Sequence, residues 1–255
     1  MNTNRFVQKL LNFSRPKRLY DQDHVLLQER FEPASWSKSL DTQLASIKKL
    51  LKNAKMDKGY YNSKKKVRVP RGYTRVIVPK MSYLAKMYKV EDPYAEIGVL
   101  VDQVCELLIV NRDGNFTHYR KGQLGPDRIQ CIQKMTFPRI DLELNVPGDL
   151  LVLDVDMGNH YAGWTPRRAR EDISFRDDIM ALSGVDLCWI VLINPNRFQR
   201  NVDLSVDSVF EEYLSTDRGW VTNLFMYHRG GKLEFGYRWN RRAYFDCGAA
   251  IAKIN

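Results

Sequence analysis

From residue 104 onward the chain is written in short apolar or alternating runs cut by turn signals, and this constrains its fold more than any other feature. The runs are "VCELLIV" (104–110), "IDLELNV" (140–146), "LLVLDV" (150–155), "LCWIVLI" (187–193), "WVTNLFMY" (220–227), "KLEFGYRW" (232–239) and "AAIAKIN" (249–255). Each has the length of a strand and is short for a helix. In the second, Ile140, Leu142, Leu144 and Val146 recur at a period of two, which puts them on one face of a strand. Turn signals stand between the runs, at Asn111-Arg112-Asp113-Gly114, Pro147-Gly148-Asp149, Asn194-Pro195-Asn196 and His228–Gly231. "NFTHYRK" (115–121) and residues 129–135 add candidate strands, so hairpins are predicted over 104–121 and 220–239. "VDSVFEEYL" (206–214) reads as a short inserted helix, and 165–178 as a polar, Arg-rich loop. The fold expected is mainly β, an antiparallel sandwich or jelly-roll-like domain with one or two inserted helices. Leu142, Leu144, Trp189, Val191, Phe235 and Tyr237 are its predicted core.

The first third of the chain differs in charge. Residues 1–80 hold 19 Lys and Arg against 6 Asp and Glu, while 81–255 hold 21 against 24, so the net +10 comes wholly from the first segment. Two regions are therefore expected, a basic arm over 1–80 and a β-rich globular domain over 81–255. Within the arm, residues 39–56 form an amphipathic helix, with Leu40, Leu44, Ile47, Leu51 and Ala54 on one face and Lys48, Lys49, Lys52 and Lys55 opposite. A linker follows in which Lys64, Lys65, Lys66, Arg68 and Arg71 lie within eight residues, close to Tyr60, Tyr61 and Tyr73. Cations neutralise phosphates and release counterions, and tyrosines stack on unpaired bases. These nine Lys and Arg residues are the nucleic-acid-binding candidates, with single-stranded RNA the expected partner and an anionic membrane surface the second. Arg15-Pro16-Lys17-Arg18 and Lys64-Lys65-Lys66-Val67-Arg68 also have the composition of nuclear import signals. Phe6, Val7, Leu10, Leu11 and Phe13 read as a short amphipathic helix docked on the domain.

Several classes of chemistry lack their signatures. The four cysteines, Cys105, Cys131, Cys188 and Cys247, are far apart and read as buried free thiols of a reducing compartment. No window approaches the ~18 apolar residues of a membrane span, and the first residues lack a secretory signal. The four histidines form no HxH or HExxH pair, and no GxSxG elbow is present. One motif bears on catalysis. "LLVLDVDMGNHY" (150–161) runs an apolar strand into Asp154-Val155-Asp156 with His160 after it, the donor types of a hard-metal or zinc site and thus of a metal-dependent transferase. No glycine-rich phosphate loop or βαβ unit accompanies it, and two aspartates two apart share a strand face. The favoured reading is a half-buried strand with Asp154 and Asp156 toward solvent, no metal, no cofactor and no enzyme.

A basic N-terminal arm ahead of one β domain resembles RNA-virus coat and matrix proteins. Val152-Leu153-Asp154, followed 65 residues later by Gly219, and "WIVLINPN" followed by "VDLSVDS" are similar to motifs of the thirty-kilodalton movement-protein superfamily of plant viruses, over roughly residues 129–239. The first resemblance implies a jelly-roll structural protein that binds nucleic acid, self-associates and resides in the virion and the host cytoplasm or nucleus. The second implies a protein that carries RNA between cells, with Asp154 and Gly219 as its family-motif residues.

Overall fold

A strand that is apolar on both faces is satisfied only where both faces are covered. That is the situation of β4 (Leu150–Met157), every residue of which is buried in the computed structural model, which describes residues 36–51, 59–64, 66–199, 203–216 and 219–254. One edge of β4 pairs antiparallel with β1 (Thr74–Pro79), from Thr74 opposite Val155 to Pro79 opposite Leu150. The other edge pairs with β10 (Cys247–Lys253), from Ala250 opposite Met157 to Lys253 opposite Asp154. β10 then serves two more neighbours. Its residues 247–249 run parallel to β6 (Ser205–Asp207), and 251–253 antiparallel to β5 (Ile179–Ala181). Beyond β6 lies β8 (Gly219–Arg229), flanked by β7 (Glu211–Ser215) and β9 (Lys232–Trp239). β3 (Ile129–Cys131) borders β7, and β2 (Phe116–His118) runs parallel to β9. Where β10 begins, a Cβ on Gly248 would meet the Gly158 carbonyl oxygen at 1.9 Å, so the backbones touch only because neither residue has a side chain.

The expected richness in strands is present, in one mixed sheet of ten strands. Its two parallel pairings correct the purely antiparallel expectation. The hairpin at 220–239, the strands at 150–155 and 249–253, and the helix after Ser39 are where the sequence placed them. Residues 74–79, at the end of the basic segment, form β1 and belong to the sheet.

Four runs fold otherwise than predicted. "VCELLIV" is the second half of the helix α4 (Ile97–Asn111), in which Ile97, Leu100, Val101, Val104, Cys105 and Leu108 form one buried face at helical spacing. "LCWIVLI" is the helix α7 (Gly184–Ile193), buried on all sides and therefore without a readable period. Its start is fixed by a capping box, Ser183 and Asp186 each accepting from the other's backbone N–H. "IDLELNV" lies in the helix α5 (Gln133–Asn145), whose buried face is Met135, Thr136, Arg139 and Glu143. Arg139 sits in that interior because Glu143, at 2.8 Å, and Asp186, at 3.1 Å, neutralise it. The alternating leucines therefore do not mark an inward face. Leu144 is 79% exposed and leaves the predicted core, Leu142 and Tyr237 are partly buried, and Trp189, Val191 and Phe235 are fully buried. "VDSVFEEYL" spans β6 and β7 rather than a helix.

The Arg-rich segment also departs from a loop. Thr165 caps, and Pro166 opens, the helix α6 (Pro166–Ile173). Asp154 and Asp156, expected toward solvent, are 2% and 7% exposed. Cys105, Cys188 and Cys247 are buried free thiols and Cys131 is partly buried, with the Cys105 and Cys188 sulfurs 3.5 Å apart. Among the described residues no helix is long and apolar enough to cross a membrane.

Candidate nucleic-acid interface

The sheet ends at β1, and an open strand edge invites pairing with foreign strands. Here the helix α1 (Leu40–Leu50) covers it. Leu44 and Ile47 bury its apolar face, and the buried Gln43 stands in for a neighbouring strand. Its Nε2 donates to the Arg75 carbonyl at 3.2 Å and its Oε1 accepts from the Ile77 N–H at 2.9 Å. The helix α2 (Gly59–Lys64) and the basic loop that follows it lead into this strand.

Arg75 ties that loop down. It lies directly opposite Asp154 in the β1–β4 register, and its Nε and Nη2 donate to Oδ1 and Oδ2 of Asp154, each at 2.7 Å. Its remaining Nη1 donates to the carbonyl of Lys64 at 2.9 Å and to that of Val67. Asp154 thus fixes an arginine that fixes the backbone of the basic loop. Lys66, Arg68 and Arg71 are exposed on this pinned loop, and Lys64 is half-buried with its Nζ 5.4 Å from the centre of the Tyr60 ring. Burial and the nearby Asp154 carboxylate push the Tyr60 phenol up, against the opposing pull of Arg75. Tyr73 closes the loop, with Lys253 Nζ 5.8 Å from its ring centre.

Beside the loop lies a cleft of about 450 Å³ between α2, α5 and residues 176–177, lined in part by Tyr60, Lys64, Asp141, Asn145, Arg176 and Asp177. Phe175, immediately before Arg176, is 76% exposed, and Lys134 Nζ lies 5.8 Å from its ring centre. The convergence of Lys64 with Arg176 on one cleft was invisible in sequence, since more than a hundred residues separate them. The clue available was an Arg-rich segment carrying an aromatic.

The other candidates are dispersed. Lys48 and Lys49 occupy the last turn of α1, Lys48 half-buried and Lys49 exposed. Arg15, Lys17, Arg18, Lys52, Lys55 and Lys65 lie outside the described residues. In the Arg-rich segment, Arg170 is held by the Val209 carbonyl and Glu212, and Arg168 by Glu171. Arg176 pairs with Asp178 at 2.8 Å and reaches His160 Nε2 at 3.3 Å. Asp156 builds a turn, accepting from the N–H groups of Asn159 at 2.6 Å and His160 at 2.9 Å. Burial raises its carboxyl above the usual range, and those two N–H groups oppose the rise. Gly219 opens β8 with a φ of +69°. β10 and β6 stand between it and β4 in the sheet, so Gly219 and Asp154 form no common site. Among the described residues no three His, Cys, Asp or Glu side chains gather as ligands for a metal ion.

No protein-family model, curated protein or solved structure matches this chain.

Proposed function

We propose that this protein binds single-stranded nucleic acid, RNA foremost, through the basic loop at residues 64–71, and that it serves as a non-enzymatic structural protein of viral coat or matrix type. The observation that carries the reading is the pinning of the loop by Arg75 and Asp154. Exposed cations on a fixed backbone lose less conformational freedom on meeting phosphate than cations on a free tail. Tyr60, beside Lys64, supplies an aromatic surface of the kind on which unpaired bases stack. Self-association, the second half of the reading, is supported by the outward Phe137 and Leu144 of α5, 58% and 79% exposed. The reading does not depend on a jelly-roll domain, because it rests on the β1 edge and its loop. Residence in the virion and the host-cell interior follows from the coat or matrix role, and a movement-type carrier of RNA would use the same surface.

The test is fluorescence anisotropy of a labelled 20-nucleotide RNA over a series of KCl concentrations. Changing Lys66, Arg68 and Arg71 together to Ala is expected to weaken binding and to flatten the slope of log K against log salt by about 2, from ~0.7 per lost phosphate contact. Unchanged affinity and slope would overturn the assignment of the loop.

A further inference from the structure

The cleft beside the basic loop has no role in phosphate binding alone, because its lining mixes charges of both signs. Lys64, Tyr60 and Arg176 line it together with Asp141 and Asn145 of α5 and Asp177 of the segment after α6. Its volume of about 450 Å³ lies within the ~300–1,000 Å³ of small-ligand sites. A polyanion backbone would be repelled by Asp141 and Asp177, so these acceptors suit a group that donates hydrogen bonds. Asn145 Nδ2 donates to Asp141 Oδ1 at 3.0 Å, which orients that carboxylate and leaves its Oδ2 as an acceptor. A cation that takes phosphate (Lys64), an aromatic ring and carboxylate acceptors within one nucleoside-sized cleft together describe a base subsite.

We propose that this cleft receives one unstacked nucleobase of the bound strand and favours bases with an exocyclic amine, through acceptance by Asp141 and Asp177 beside the phosphate-directed Lys64. The inference rests on the nucleic-acid reading above and deepens it. Carboxylates accept from the N4 amine of cytosine, whereas uracil presents a carbonyl oxygen at the same position and would be turned away. Specificity thus comes from the cleft and affinity from the loop.

The experiment compares labelled 12-nucleotide oligo(C) and oligo(U), which differ at that amine and share a pyrimidine ring, by anisotropy at fixed salt. Oligo(C) is expected to bind the wild-type protein about five- to tenfold more tightly, a difference of the order of one good base-edge contact. In the variant carrying Asp141→Ala and Asp177→Ala, both exposed positions, the ratio should fall to near one. Removal of two negative charges raises affinity for both oligomers alike, so the ratio is the readout. Equal wild-type binding of the two oligomers with a normal salt slope, or a ratio unmoved in the variant, overturns the subsite and leaves the loop reading standing. Failure of both oligomers to bind overturns the two together.

Discussion

Arg75 and Asp154 face each other across β1 and β4 as a two-bonded ion pair, and the third arm of the same guanidinium holds the carbonyls of Lys64 and Val67. Asp154, which the sequence reads as a solvent-facing strand carboxylate, is therefore the buried end of a clamp whose outer end is the basic loop.

Truncation of that clamp leaves a buried arginine without its counter-charge. Asp154→Ala is predicted to cost about 3–5 kcal/mol, measured by urea unfolding, since removing one partner of a buried pair strands the other. Asp154→Asn, which keeps one acceptor oxygen, should cost less. Both variants should also free the loop, so that trypsin cuts after Lys66 and Arg68 faster than in the wild type under native conditions. A fully stable Asp154→Ala with unaltered proteolysis would show that Arg75 is not what holds the loop.

Stability should decline as pH rises from about 4.5 toward 8, because of Glu211. Its side chain is fully buried on β7, and its Oε1 accepts from the Gly184 N–H at 2.8 Å. Burial pushes its carboxyl up to about 8, and Asp186 adds to the rise, while Ser208, the Gly184 N–H and Arg170 oppose it. A folded-state value above the unfolded one means that the native protein holds the proton more tightly. The contribution is then complete below the unfolded value and is lost as pH climbs through the folded one, with a slope of at most about 1.4 kcal/mol per pH unit. Glu211→Gln, which is neutral throughout, should flatten the urea midpoint between pH 5 and 8.5. An identical pH profile for variant and wild type would refute the assignment.

Trp189 and Leu144 separate the true interior from the apparent one. Trp189 is fully buried in α7, so Trp189→Ala is expected to destabilise by roughly 3–5 kcal/mol. Leu144→Ala, at a position 79% exposed, should shift stability by no more than about 0.5 kcal/mol. Thermal or urea denaturation of the two variants checks both, and comparable losses would contradict the placement of α5.

What was legible in the sequence was whatever one local rule decides. The period-3.6 leucines of α1 and the apolar β4, and the hairpin with Gly230 and Gly231 at positive φ, each carry their own signal. α7 and α5 escape the pattern rules for opposite reasons. The first is so deeply buried that all its faces are apolar, and only the Ser183–Asp186 capping box betrays a helix. The second buries charges, so its hydrophobic pattern marks the wrong side, and the pairing of Arg139 with Glu143 and the distant Asp186 makes that arrangement tolerable. The basic loop was legible as composition. Its anchor was not, because Arg75 and Asp154 meet only through strand register.

The position of β10 has a consequence for how the molecule comes apart. Residues 247–249 are bonded to β6 while 250–253 are bonded to β4 and β5, so this strand splices the half of the sheet that carries the basic loop to the half built around β8. Neither half can open without breaking the splice, and the two should exchange their amide hydrogens as one cooperative unit rather than as separate foldons. Because β10 joins segments distant in sequence, the sheet is completed only after long loops have closed, which makes its assembly intrinsically slow. A slow final step would then raise the protection of β4 and β8 together in pulse-labelled refolding.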